Sequence, residues 1–292
     1  MVSRAESPSI VGKATLAALS CLAVSWAGCG GGAGAPWRAD LGDRDLDRGH
    51  PATVYLDSEC SGVLVAPHLV LTAAHCVLTE QPPTSVVVAE GRRRARLGVR
   101  RCQLHPDAAG EGGCDAGPGS PPAPGADLAL LELDGAVPTD LASPLPVLIG
   151  APRRWPDPTR VRLVGWNRRP FTVGVPRRYG GLNRVVRVGP RTLTTRPARR
   201  GGFSTRRGNS GGPVLVRVAG ELAVAGVLHG GSARDAEESV FATTFSPRSS
   251  SWIAWRLLPF LLTDLPPYEP DASGGAARSG VFVTTPWPPS FR

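Results

Sequence analysis

Residues 60–76 read Cys60-Ser61-Gly62-Val63-Leu64-Val65-Ala66-Pro67-His68-Leu69-Val70-Leu71-Thr72-Ala73-Ala74-His75-Cys76. Two short apolar runs, Val63-Leu64-Val65 and Leu69-Val70-Leu71, flank Ala66-Pro67-His68, which predicts strand, turn, strand. The same pattern recurs outward at Leu128 to Leu133, Val161 to Trp166, Val214 to Val218, Leu222 to Leu228 and Ser239 to Phe245. Ala219-Gly220-Glu221 reads as the hairpin between the runs at 214 and 222. No helix separates successive strands, so an antiparallel barrel or sandwich is expected rather than a parallel α/β sheet. With 36 glycines and 30 prolines among 292 residues, turns and short strands are favoured and a helical bundle is excluded. A 41% hydrophobic content is too apolar for a disordered polyelectrolyte, and the length allows one large domain or two small ones. One late helix is predicted, Ser251 to Leu258, stopped by Pro259.

The ends differ from this middle. Arg4 and Lys13 precede the apolar stretch Ala14 to Trp26, followed by Ala27, Gly28, Cys29 and a glycine run, which is the layout of a signal peptide. About 13 apolar residues are too few to span a membrane, and no later run reaches about 18. Trp26-Ala27-Gly28-Cys29 also resembles a bacterial lipobox, although tryptophan stands where leucine is usual. Lipidation of Cys29 and simple cleavage near Gly28 are both open readings. The expected organisation is a signal peptide at 1–28, a tether at 29–49, a folded domain at 50–262 and a Pro-rich tail at 263–292, in which Val281-Phe282-Val283 could add a short strand.

With Cys21 and Cys29 assigned to processing, Cys60, Cys76, Cys102 and Cys114 form an even set in an exported chain, so disulfides are expected. Three connectivities are possible, and the local pairs 60–76 and 102–114 are the simplest. A zinc site from Cys60, His75 and Cys76 is disfavoured because no second paired-ligand motif appears. The formal charge of +9 rests almost wholly on arginine, Lys13 being the only lysine. Arg92 to Arg94, Arg153-Arg154, Arg168-Arg169, Arg177-Arg178 and Arg199-Arg200 are scattered, with no helix to gather them, so a solvated face is expected rather than a nucleic-acid surface.

Three motifs carry chemistry: Thr72-Ala73-Ala74-His75-Cys76, Ala126-Asp127-Leu128-Ala129-Leu130-Leu131 and Gly208-Asn209-Ser210-Gly211-Gly212-Pro213. A serine hydroxyl becomes a nucleophile at neutral pH only beside an imidazole that takes its proton. That imidazole in turn needs a carboxylate to hold its tautomer. His75, Asp127 and Ser210 offer these groups. The N–H groups of Gly208 and Ser210 are candidates for binding the oxyanion, and a side chain at Gly208 is expected to obstruct the acyl group.

Taken together, in the order His, Asp, Ser, the motifs resemble those of the chymotrypsin/trypsin family of serine endopeptidases. The strand from Cys60, a disulfide between Cys60 and Cys76, His105-Pro106, Leu163-Val164-Gly165-Trp166 and a late helix at Trp252-Ile253 extend the likeness over roughly His50 to Leu262. The resemblance implies an all-β fold of two six-stranded antiparallel Greek-key barrels with a C-terminal helix, and an active site between the barrels. It implies peptide-bond hydrolysis through an acyl-enzyme by the triad His75, Asp127 and Ser210, on polypeptide substrates, in a monomer with no cofactor and no metal.

Asn209 precedes the nucleophile where the animal digestive and clotting members have aspartate, and no Ile-Val-Gly-Gly-like start lies upstream. No zymogen insertion is therefore expected, as in many bacterial relatives. The resemblance places Ser204 and Thr205 at the base of the primary pocket, without an aspartate to pair with Lys or Arg. Thr205 with His229 has some likeness to glutamate-selective members, and a plain neutral pocket with a structural His229 is the other reading. His50, His68 and His105 are read as surface or turn residues. Gly208-x-Ser210-x-Gly212 also fits an α/β-hydrolase elbow, but that fold needs a carboxylate and then a histidine after the serine; His229 is the only histidine after Ser210 and Glu221 the only carboxylate between them, both in hairpin sequence. A non-catalytic, protease-like binding module at the cell envelope is the alternative from another functional class. The chain is expected outside the cytoplasm, secreted or attached to the envelope, and on a membrane only through the lipid.

Overall fold

The computed structural model describes residues 44–45, 49–108, 114, 117–118, 121–150, 160–167, 176–198, 203–218, 220–232, 235 and 237–262. The proposed signal peptide, Cys29 and the tail therefore lie outside the described residues, as does Val281-Phe282-Val283.

Six strands close the first barrel: β2 (Thr53–Leu56), β3 (Cys60–Ala66), β4 (Leu69–Thr72), β5 (Ser85–Glu90), β6 (Arg93–Leu104) and β7 (Ala129–Leu133), in the order β2-β3-β4-β7-β6-β5. Strands β3 and β4 are buried at every position, which explains their continuous apolar sequence. A second closed set follows: β8 (Arg160–Asn167), β9 (Arg177–Val188), β10 (Thr192–Pro197), β11 (Pro213–Val218), β12 (Glu221–Gly231) and β13 (Ser239–Thr243). They pair in the order β9-β10-β13-β12-β11-β8, and β8 pairs with β9 to close the ring. All these pairings are antiparallel. The expected fold of two six-stranded barrels and a C-terminal helix is thus the observed one.

Four expectations change. The short strand β1 (Arg44–Asp45) lies within the expected tether and pairs with Gly180 and Tyr179 of β9. The helix α1 (Pro247–Leu262) begins four residues earlier than expected and runs through Pro259. Ser246 explains the early start, because its hydroxyl accepts from the Ser249 N–H. Proline removes one helical hydrogen bond, but Trp252, Ile253 and Leu257 pack into the first-barrel core and hold the helix in place.

His105, expected at the surface or in a turn, opens the turn closed by the Ala108 N–H on its carbonyl, but its side chain is fully buried, edge-on against Trp252 with ring centroids 5.4 Å apart. Arg178, expected to be solvated, is 2% exposed. Its guanidinium lies 5.4 Å from the Trp166 ring centroid, and it donates to the Ala89 carbonyl (2.8 Å) and to Glu90 Oε2 (3.0 Å). Trp166 Nε1 in turn donates to the Thr53 carbonyl at 2.8 Å. Arg178 and Trp166 belong to the second barrel and their acceptors to the first, so this buried cluster pins the barrels together.

His50 sits beside the same seam, its Nε2 3.3 Å from the Arg162 guanidinium. Burial, then the charges of Arg162 and Arg178, lower its pKa from 6.5 to about 4. In that window the unfolded chain binds a proton that the folded chain refuses, so stability falls as the pH drops from 6.5 toward 4 and is fully present above 6.5. We expect this group to account for a loss of roughly 3 kcal/mol across the window. Melting temperatures of wild type and His50→Asn between pH 7 and pH 4 check this: the variant, which tolerates the left-handed backbone at φ 60 and carries no titrating ring, loses less on acidification.

Candidate active site

Strand β4 ends at Thr72, and a single 3-10 turn, Ala74–Cys76, then presents His75. The disulfide from Cys76 to Cys60 fastens this turn to the first residue of β3, and Cys102 is joined to Cys114. Both local pairings are those expected as the simplest.

Asp127 lies just before β7, fully buried. Its Oδ1 accepts from the His75 backbone N–H at 2.8 Å and its Oδ2 accepts from His75 Nδ1 at 2.6 Å. One carboxylate thus holds both the backbone and the ring of the histidine, which fixes the ring's direction. Burial pushes the Asp127 pKa up, but hydrogen bonds from His229 and His75, with the charge attraction of His75, outweigh it and leave the carboxyl below its ordinary value. The group is ionised at neutral pH and can only accept, so each imidazole offers it a protonated Nδ1.

The turn bearing Ser210 is wedged between elements of both barrels. The Ser210 carbonyl accepts from the Ser61 N–H at 2.7 Å, and Ser61 Oγ donates to the Gly208 carbonyl at 2.7 Å while accepting from the Trp166 N–H at 2.8 Å. Gly211 has φ 76, and a Cβ there would stand 2.2 Å from Thr72 Oγ1 and 2.3 Å from the Ser61 carbonyl. Only glycine brings the serine turn this close to the strand that ends three residues before His75. The backbone N–H groups of Asn209, Gly211 and Gly212 bond to the carbonyls of Arg206, Leu228 and Asn209, whereas those of Gly208 and Ser210 are absent from the described hydrogen bonds. His75 Nε2 lies 3.7 Å from Cys76 Sγ, and no hydrogen bond to the Ser210 hydroxyl is among the described contacts of the ring. Such contacts are often long in free enzymes and tighten with substrate.

A side chain at Gly208 would also meet the protein itself. At φ 95, a Cβ there would stand 2.9 Å from the Trp166 carbonyl and 3.1 Å from Asn167 Cα, so it would strike β8. Asn209 is 2% exposed; its Oδ1 accepts from the Arg206 N–H at 2.7 Å and its Nδ2 donates to the Trp166 carbonyl at 3.2 Å.

Thr205 is bonded through its hydroxyl to Ser239 Oγ at 2.8 Å, a neighbour that β13 supplies and that sequence reasoning missed. Ser204 is exposed one residue before it. His229, read in the sequence either as lining the pocket with Thr205 or as structural, donates from Nδ1 to Asp127 Oδ2 at 2.6 Å, its ring edge-on to His75 with centroids 5.9 Å apart. Its approach to Asp127 spans 102 residues, so no local motif signals it.

Two clusters among the described residues bring metal-binding atoms together. Cys60, His75 and Cys76 offer no thiolate, because the cysteines are oxidised. In the trio His75, Asp127 and His229 the 2.6 Å N–O spacings are those of hydrogen bonds. A tetrahedral zinc ion with bonds near 2.0–2.1 Å would hold its ligand atoms about 3.3 Å apart.

Among the described residues, no helix is long and apolar enough to cross a membrane. The family model described as Trypsin matches residues 42–253, starting before the strand β1 and ending inside α1. That match takes in both barrels, the histidine turn, Asp127 and the serine turn, and it covers well over half of the 292 residues: the chain belongs to the trypsin family and carries its serine protease-type domain.

Proposed function

We propose that this chain is an exported serine endopeptidase that cleaves polypeptides through an acyl-enzyme. The observation that supports this best is the two-point hold of buried Asp127 on His75 beside the glycine turn of Ser210. Ser210 attacks the scissile carbonyl carbon as His75 Nε2 takes its proton. The tetrahedral oxyanion is bound by the Gly208 and Ser210 N–H groups, neither of which is engaged in a hydrogen bond among the described residues. His75 then protonates the leaving amine, water repeats the sequence on the ester, and Asp127 stabilises the imidazolium throughout. Two disulfides fit an oxidising compartment, and the N-terminal layout is that of a signal peptide, with Cys29 as the residue a lipid would modify.

No zymogen insertion is needed in this reading. In Asn209 both ends of a neutral amide are already satisfied, by Arg206 and Trp166, so the turn is ordered without an incoming ammonium group. Chains beginning at different positions before Arg44 should be equally active. Asn209→Asp, which loses the donor to Trp166 and buries a charge, should lower kcat/KM by about ten- to hundred-fold. Activity that appears only after one defined cleavage would overturn this part of the reading.

The proposed pocket base is Ser204 and Thr205, with Ser239 behind the latter. Hydroxyl groups with no carboxylate among them favour neutral side chains before the cut, so a peptide library varied at that position should show Phe or Leu above Lys and Arg. Preference for Arg would contradict the assignment.

A further inference from the structure

His229 has a place that none of the preceding roles uses. Its Nδ1 and that of His75 reach the same oxygen of Asp127, each at 2.6 Å, while the other carboxylate oxygen is occupied by the His75 backbone. We propose that His229 is a positioning residue of the catalytic site: a second imidazole that shares the Asp127 carboxylate with His75 and couples its own protonation to the action of the base. The inference rests on the triad reading given above.

Charge counting gives the consequence. Asp127 carries one negative charge and is fully buried, and the two rings are 27% and 23% exposed at the side chain. One carboxylate can offset one imidazolium. In the transition state that imidazolium is His75. When His229 is itself protonated, the site must hold two cations on one acceptor with ring centroids 5.9 Å apart, and formation of the second is opposed. The active form therefore has both rings neutral. Among the described residues, no charged group besides Asp127 and His75 contacts His229. On the loop after β12, Asp235 and Glu238 are bound by Arg196, and Glu238 also by Arg187. A neutral His229 also steadies Asp127, since its N–H, carried on β12 of the second barrel, holds Oδ2 of a carboxylate that belongs to the first.

The test compares wild type with His229→Ala and His229→Asn, the amide of which can place an N–H near the position of Nδ1 but does not titrate. In wild type, log kcat/KM against pH should fall on the acid side with a slope of one that steepens toward two at lower pH, where the opposed second proton binds; in both variants the slope should stay at one. His229→Ala should lose about ten- to hundred-fold in kcat/KM on the plateau, mostly in kcat, and His229→Asn should recover most of that loss. Nitrogen NMR of Ser210→Ala protein labelled with 15N-histidine supplies a readout that needs neither turnover nor a folded His229 variant. It should show His75 and His229 both protonated at Nδ1. A wild-type slope that never steepens beyond one, identical profiles in wild type and His229→Asn, or a His229 ring protonated only at Nε2 would each overturn the proposal. Failure of the triad reading itself would show separately, as wild-type protein with the expected NMR signals and no turnover.

Discussion

Replacing Asp127 with asparagine should lower kcat by about four orders of magnitude, with a far smaller change in KM. The size follows from the number of donors that converge on this side chain. Oδ1 takes a backbone N–H and Oδ2 takes two imidazole N–H groups, so every partner needs an acceptor. An amide supplies one oxygen. With that oxygen toward the rings, its NH2 faces the His75 backbone N–H; with it toward the backbone, the NH2 faces two Nδ1–H groups and both rings must change tautomer. In the second arrangement the proton sits on His75 Nε2, where the base should be empty. Steady-state kinetics on the variant, with folding verified by its melting temperature, checks this. A loss below about ten-fold would mean that Asp127 does not set the state of the base.

Ser210→Ala should abolish turnover, with kcat reduced by about 10^5- to 10^6-fold. In the proposed mechanism the hydroxyl oxygen becomes covalently attached to the acyl group, and an alanine methyl cannot take its place. The substitution should leave stability nearly unchanged, because the described bonds that hold this turn are made by backbone groups, including the Ser210 carbonyl with Ser61. Substrate should still bind to the variant with a similar affinity. Combining Ser210→Ala with Asp127→Asn should cost little more than Ser210→Ala alone, because the triad acts as a unit.

Legibility in the sequence followed burial. Strands β3, β4, β8 and β11 are apolar along most of their length because they are buried, so their sequence shows as short hydrophobic runs. By contrast β6 reads Arg-Arg-Ala-Arg-Leu-Gly-Val-Arg-Arg-Cys-Gln-Leu with most positions partly or fully exposed, and the far half of β9 is similar. Such strands keep their place by pairing with neighbours, a long-range property that neither periodicity nor turn residues report. His75, Asp127 and Ser210 were readable because each sits in a motif shaped by a local requirement. His229 was visible as a residue but not as a partner of Asp127, because register between distant strands decides where its ring points. His105 and Arg178 were misjudged for a related reason: their polar character suggested solvent, while an aromatic neighbour and hydrogen bonds made burial tolerable.

The most direct test is covalent labelling with a fluorophosphonate, which reacts only with a serine that its own site has activated. The account predicts near-stoichiometric modification of the wild-type protein at Ser210, identified by peptide mass spectrometry, strong suppression in Asp127→Asn and none in Ser210→Ala. Folded wild-type protein that takes up no label, or label that persists in Ser210→Ala, would contradict it and favour a binding module built on a protease fold.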